Sequence, residues 1–363
     1  MGFFVNEINH ELKQHLNLSE KAWEVIYNDM TDFYRGISNH NLSGFLNQVF
    51  THFYQDASGS IGIRSKQARE ELWNIIAPSN RIPSDADHTE EIIAVLVQAY
   101  KQKLVQKAHE YPKGRGEKFR VNRKNIDILR DSDSSDFYDD SIGTYMKAVF
   151  EEYTSMPPAQ REIIFFKDII DECNIAISQR KKVKISLLGK ISDDGTHTYT
   201  PKFYVSPHTI ASDKSGNFNY LVGISEEIKE DGTIGEKRIA SFRISRIDKI
   251  SVMNSLSGFM SKQKIEEIKK ELRQKTPQYM AGDLSDIEVA FTKKGVESLE
   301  RQIYLRPTSY EKIHDNTYVF HCTELQAFHY FFKFGEDAII LEPQSLREKM
   351  KQCYQKACEA YDD

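Results

Sequence analysis

Two stretches of this chain, set one hundred residues apart, repeat a pattern that restricts what either can fold into. Each begins with a short alternating run: His15-Leu16-Asn17-Leu18 in the first, Lys118-Phe119-Arg120-Val121 in the second. Each continues with apolar residues at helical spacing, Trp23, Ile26, Tyr27 and Met30 in one, Ile126 and Leu129 in the other. After a loop, each closes on a second helical pattern, Phe45 to Phe53 and Tyr145 to Tyr153, with Val-Phe at matching positions. A lone short strand leaves its backbone polar groups without a ladder, so it must pair. Two copies in one chain supply a pair internally. Two unrelated helical hairpins are the plainer reading of the same pattern.

Strand–helix–helix over about 40 residues resembles the ribbon-helix-helix fold, and both copies resemble it. With Leu16, Leu18, Phe119 and Val121 pointing inward, alternation points His15, Asn17, Lys118 and Arg120 outward. In ribbon-helix-helix proteins the outward strand residues read base edges in the major groove. Lys118 and Arg120 suit that role; His15 and Asn17 suit it poorly. The run Lys113–Lys124 holds six cations, one carboxylate and two glycines. Such a run suits phosphates, with Arg115, Arg123 and Lys124 as further contacts, although charge runs are also ordinary solvated surface.

That basic stretch is local. The chain of 363 residues carries a net charge of −5. From Lys101 to Arg130 it carries ten Lys/Arg against three Asp/Glu, and the next ten residues hold five aspartates and no base. Any nucleic-acid surface must therefore be a patch. No apolar run approaches the roughly 18 residues of a membrane span. The start lacks a signal-peptide apolar run, and Asn6 stands where a myristoylation signal wants Ser or Thr. Four scattered cysteines, Cys173, Cys322, Cys353 and Cys358, fit a reducing compartment, so a cytoplasmic protein is expected. Cys353 and Cys358 have no second Cys/His pair at metal spacing. Asp131-x-Asp133 lacks the closing glutamate of a calcium loop, since Ile142 stands there. Phosphate-loop, nucleophile-elbow and zinc-protease patterns are absent, so no enzyme, metal or cofactor is expected.

The second half is organised around Asn217–Val252. Phe218 to Gly223 reads as a strand after Gly216, and Ala240–Val252 as another, with Phe242, Ile244, Ile247 and Ile250 as its apolar positions. Arg238, Arg243 and Arg246 lie in or beside this apolar run. A buried guanidinium is costly unless paired, so such residues face a cleft or an anion. Alternation sets Arg243 and Arg246 on opposite faces, so one of them sits at a bulge or strand end, or only one faces the groove. Further strands are expected at Val183–Leu188, Tyr199–Val205 and Tyr220–Ile224.

These residues carry a second resemblance. Tyr220-Leu221 with Phe242-Arg243-Ile244-Ser245-Arg246-Ile247 resembles the WYL domain, a small Sm-like β-barrel of prokaryotic regulators, with Asn219 in place of the signature tryptophan. Phe332 to Pro343, Leu346-Arg347 and the helix after them resemble the extension that follows such domains. The resemblance covers about residues 181–363. It implies a ligand groove lined by Tyr220, Arg243 and Arg246, with Arg238, Ser206 and His208 beside it. A tyrosine face stacks a base, and a guanidinium pairs with phosphate or stacks. For Tyr220 the barrel core is the other reading. The whole layout is most similar to the WYL accessory proteins encoded beside RNA-targeting type VI-D CRISPR effectors. Thr292-Lys293-Lys294-Gly295-Val296-Glu297, Arg306-Pro307 and Lys333-Phe334-Gly335 share that likeness. The likeness implies binding of single-stranded RNA and enhancement of an effector.

The expected fold is a multidomain α+β protein. Its parts are a ribbon-helix-helix-like module at 1–60, a helical connector at 61–112 broken at Pro78 and Pro83, and a second module at 113–158. A linker helix at 159–180 leads to the WYL barrel at 181–255, a linker helix at 256–282 and a C-terminal extension at 283–363. In that extension Val296, Leu299 and Ile303 mark one helix, and Leu346, Met350, Cys353, Ala357 and Tyr361 the last. The aromatic run Phe328–Phe334 suggests that the extension holds a homodimer. The expected function is a non-enzymatic RNA-binding accessory protein. The alternative is a ligand-responsive transcriptional regulator that grips duplex DNA through the ribbon.

Overall fold

The computed structural model describes residues 12–34, 41–54, 61–76, 86–131, 141–191, 198–213, 215–254, 260–280 and 282–361. Pro78, Pro83 and Asp133 lie outside them. The chain divides into two compact units, Met1–Lys167 and Asp168–Asp363. No helix among the described residues is long and apolar enough to cross a membrane.

The first unit runs β1 (Leu12–Asn17), α1 (Glu20–Phe33), α2 (Leu42–Phe53), α3 (Ile61–Ile76), α4 (Ala86–Glu110), β2 (Gly116–Val121), α5 (Arg123–Asp131), α6 (Ile142–Ser155) and α7 (Pro158–Phe165). The two strands form one antiparallel ribbon, with His15 opposite Lys118 and Lys13 opposite Arg120. Ser19, Asn41 and Ser141 cap α1, α2 and α6, each side chain accepting a backbone N–H of the first turn. Under the ribbon, Leu16, Phe119 and Val121 join a core of Trp23, Ile26, Phe45, Phe50, Tyr145 and Phe150.

The two copies hold each other together. Glu151 of α6 accepts from the backbone N–H of Ser19 at 2.6 Å and from its hydroxyl at 2.9 Å. Asn47 of α2 returns the arrangement: its Oδ1 accepts from the Asn122 N–H at 2.8 Å, and its Nδ2 donates to the Arg120 carbonyl. The second helix of each copy thus secures the start of the first helix of the other. A buried fork adds to this. Arg161 donates to both oxygens of Asp29 at 2.7 and 2.9 Å, and the Tyr153 hydroxyl donates to Asp29 at 2.8 Å.

The helix expected over Arg161–Ser178 is two helices, α7 and α8 (Lys167–Ser178). Phe165 and Phe166 both turn onto Phe33, with ring centroids 5.2 and 5.4 Å away. Adjacent residues of one helix cannot both face one partner squarely, so the helix breaks there.

The second unit continues with β3 (Val183–Leu187), β4 (Lys190–Ile191), β5 (Thr198–Tyr199), β6 (Lys202–Ser212), β7 (Asn219–Ile228), β8 (Arg238–Arg243) and β9 (Ile247–Val252). Then come α9 (Lys262–Lys275), β10 (Leu284–Phe291), α10 (Lys293–Arg301), β11 (Tyr310–His314), β12 (Thr317–Thr323), α11 (Glu324–Phe331), β13 (Ala338–Glu342) and α12 (Gln344–Glu359). One sheet has the order β8-β7-β6-β3-β9, the other β11-β12-β10-β13. The expected barrel is corrected here: among the described residues no ladder joins β8 to β9, so the five strands form an open sheet.

The expected strand Ala240–Val252 is also corrected. A 3-10 turn at Ile244–Arg246 divides it. Ile244 and Ile247 are both buried, and residues three apart share a face in a 3-10 turn but not in a strand. Two further expectations change. Ile303 lies beyond α10 and is 71% exposed, and Tyr361 lies past α12 and is 92% exposed. Leu346 and Met350 are the buried part of that last stripe.

Candidate nucleic-acid interface

On the ribbon, the inner face takes Leu16, Phe119 and Val121, which leaves Lys13, His15, Lys118 and Arg120 exposed on the other. The register brings these four into two cross-strand pairs. Lys13 and Arg120, like charges directly opposite each other, repel, so that pair favours an anion laid across it. A side chain at position 116 would collide with the His15 ring, so the imidazole packs against Gly116. Lys13 was missed in the sequence. The signal was there, since it continues the period-2 series of His15 and Asn17.

The other predicted cations sit differently. Arg115 is turned onto its own unit: its Nε lies 3.1 Å from Glu117, its Nη2 donates to the Tyr27 hydroxyl at 3.1 Å, and its guanidinium lies over the Tyr27 ring. Arg123 and Lys124 are exposed on the first turn of α5, just past the end of the ribbon. Asn17, expected to point outward, instead turns to the segment before β2, accepting from the Gly114 N–H at 3.0 Å.

In the second unit, Tyr220 and Arg243 are direct cross-strand neighbours. Tyr220 lies on the face of β7 opposite buried Leu221, so it is not in the inner core with Leu221 and Phe242. Its face carries Ala211, Val222, Ile224 and Ile239, packed against Ile268, Leu272 and Met280. Helix α9 and the segment after it therefore occupy the middle of the expected groove. This explains the unbroken apolar run of β7, which is covered on both sides. Arg243 lies with its guanidinium carbon 3.2 Å from the centroid of Phe218, and its Nε donates to Ser245 at 2.7 Å. Arg246 ends the 3-10 turn, three residues from Arg243, half-buried. Asn219, where the signature has tryptophan, is buried and accepts from the Ser212 hydroxyl at 2.8 Å.

Ser206 and Arg238 gather elsewhere on the sheet, in a pocket of about 270 Å³ at the start of α9. Lys182, Lys237 and Lys264 line it with them, against one carboxylate, Glu226. Glu226 lies 2.6 Å from Lys182 and 4.0 Å from Lys237. Lys264 is itself paired with Glu267 at 2.6 Å, and the remaining cations, Lys182, Lys237 and Arg238, still exceed Glu226 among the described lining residues, which suits a phosphate-sized anion. His208 lies away from this pocket, under α9. Burial pushes its pKa below the ordinary value and Lys269 pushes the same way, while Glu266 opposes them. The expected single groove is thus two places, separated by α9.

Among the described residues no group of three His, Cys, Asp or Glu is placed to hold a metal. Burial pushes the thiols of Cys173 and Cys322 up to about 12.

No family model matches the chain, and no curated protein matches it. A solved structure described as the crystal structure of a CRISPR Cas-related protein matches 99% of this chain and 96% of its own, with a TM-score of 0.71 at 24% identity. The proteasome accessory factor B/C of Arthrobacter aurescens aligns with 72% of this chain and 36% of its own, with a TM-score of 0.26 at 13% identity. The second likeness is too low to bear on the fold. The first shows a shared fold along nearly the whole chain.

Proposed function

We propose that this chain is a CRISPR-associated, non-enzymatic, cytoplasmic accessory protein that binds single-stranded RNA and modulates an RNA-targeting effector. The observation that carries the nucleic-acid reading is the outward ribbon face, where Lys13, His15, Lys118 and Arg120 stand together. The basic pocket of Ser206 and Arg238 adds a second phosphate contact. The association with CRISPR systems rests on the full-length likeness to a CRISPR Cas-related protein and on the sequence resemblance of the second half.

One observation favours the duplex-DNA reading instead. A two-stranded antiparallel ribbon fits the major groove, and Lys13 makes the first copy a better reader than His15 and Asn17 alone. Labelled single-stranded RNA, single-stranded DNA and duplex DNA of equal length, titrated at one salt concentration, separate the two. The expected order is RNA first and duplex last. Tightest binding to the duplex overturns the proposal in favour of a transcriptional regulator.

The proposed protein partner is a second copy of this chain. Strand β13 is an edge strand, Ile339 on it is 52% exposed, and an apolar groove of about 770 Å³ runs between β13 and α12. An unpaired apolar edge invites antiparallel pairing with its own symmetry mate.

A further inference from the structure

Another cavity of the second unit, of about 410 Å³, has no part in the reading above. Its walls come from four segments: Ser215 before β7, Thr276 and Gln278 after α9, the stretch from Ile303 to Arg306 with Thr308, and Gln326 of α11. Three features coincide there. Thr276 is 6% exposed, and its hydroxyl is buried with no hydrogen-bond partner among the described residues. Thr276 and Leu305 both have positive φ, 62° and 61°, two of the three non-glycine residues that do so among those described. Thr276 is also β-branched, and its ψ of 154° belongs to a region that glycine alone occupies comfortably. Strain of this kind persists where the surroundings over-determine it, and such places cluster at ligand sites.

The chemistry of the walls narrows the ligand. Among the described residues no carboxylate lines the cavity, and one guanidinium, Arg306, does. Arg306 is aimed by two contacts: its Nη1 donates to the Leu299 carbonyl at 2.9 Å, and its guanidinium lies 5.5 Å from the Tyr310 ring centroid. Its other donors suit an anion. Gln278 and Gln326 each carry a donor and an acceptor, the pairing that a base edge presents. Gln326 is 7% exposed, and its Nε2 donates to the Leu305 carbonyl at 3.4 Å, which holds the amide in place and commits one of its two N–H donors to the wall. Tyr304 offers an aromatic ring at the rim, half-exposed, with its hydroxyl accepting from Asn217 at 3.4 Å. A cavity of this size is in the ordinary range for a small ligand.

We propose that this cavity binds one nucleotide, with the base edge on Gln278 and Gln326 and the phosphate on Arg306. The nucleotide is either free or the end of a single strand; the recognising chemistry is the same. The site is separate from the ribbon and from the pocket of Arg238. Its existence therefore stands or falls apart from the RNA reading.

The test uses the full chain and the four ribonucleoside 5′-monophosphates, titrated one at a time by calorimetry. The expected result is saturable binding of at least one of them below about 1 mM. Arg306→Gln should weaken it at least tenfold. Thr276→Gly is the sharper variant: it removes the hydroxyl and relieves the strained backbone, so the melting temperature should hold or rise while nucleotide binding falls. Lys118→Ala with Arg120→Ala should leave nucleotide binding unchanged, which keeps this site distinct from the ribbon. Competition by a short single-stranded oligonucleotide identifies a strand end as the source; failure to compete identifies the free nucleotide. No binding of any of the four up to about 1 mM, or unchanged binding in folded Arg306→Gln and Thr276→Gly, overturns the proposal.

Discussion

Lys13, Lys118 and Arg120 share one exposed face because the β1–β2 register sets them there, and the proposed function makes each a point of phosphate or base contact. Replacing all three by alanine should weaken RNA binding by on the order of 1–3 kcal/mol for each base-reading side chain. For those that touch phosphate instead, the log–log salt slope should flatten by about 0.7 per contact. Titrations at several salt concentrations distinguish the two, and unchanged affinity assigns the ribbon to assembly alone. His208 makes a pH prediction. Its pKa is depressed in the folded chain, first by burial and then by Lys269. The unfolded chain, near 6.5, therefore takes up a proton before the folded chain does. Its contribution to stability is complete above that value and is lost as pH falls below it. His208→Asn should flatten the fall in urea midpoint on the acid side of 6.5; an identical pH profile contradicts the assignment.

At the scale of elements, the reciprocal capping of α1 by Glu151 and of α5 by Asn47 turns two weak strand–helix–helix copies into one core. Asn47 is buried and serves Asn122, Arg120 and Asn125 at once. Asn47→Ala leaves several of those groups unsatisfied, and the expected loss is about 1–3 kcal/mol for each that water cannot reach. Chemical denaturation followed by circular dichroism measures it, and a midpoint equal to the parent's would show that water replaces the amide. Helix α9 is the other decisive element. It is highly polar, yet buried Ile268 and half-buried Leu272 seat it on the face of Tyr220. A ring packed beneath a helix contributes to stability through burial before it can stack on a base.

For the whole molecule, the expected homodimer now rests on a different observation. The aromatic run Phe328–Phe334 is consumed within the chain: Tyr330, Phe331 and Phe334 are buried, and Phe332 stacks on Tyr354 at 4.7 Å. What remains for a second copy is the β13 edge and the apolar groove beside α12. Ile339→Asp should convert the dimer into a monomer in light scattering at micromolar concentration, with the melting temperature of the monomer little changed because Ile339 is exposed. A parent chain that is monomeric under those conditions removes the dimer from the reading.

Periodicity alone marked the two strand–helix–helix copies, because both signals are local: alternation at His15–Leu18 and Lys118–Val121, and helical spacing from Trp23 and from Ile126 onward. Composition bounded the class, since a net charge of −5 confines any nucleic-acid surface to local basic patches. The cross-strand pairing of Lys13 with Arg120, the 3-10 turn between Arg243 and Ile247, and the seating of α9 over Tyr220 were decided by tertiary structure. Register depends on which long-range pairing buries the most surface, and a polar helix such as α9 can announce its cover of a sheet only through single residues like Ile268. The strain at Thr276 has no sequence signature, because threonine favours extended backbone and only the packing around it forces φ to 62°.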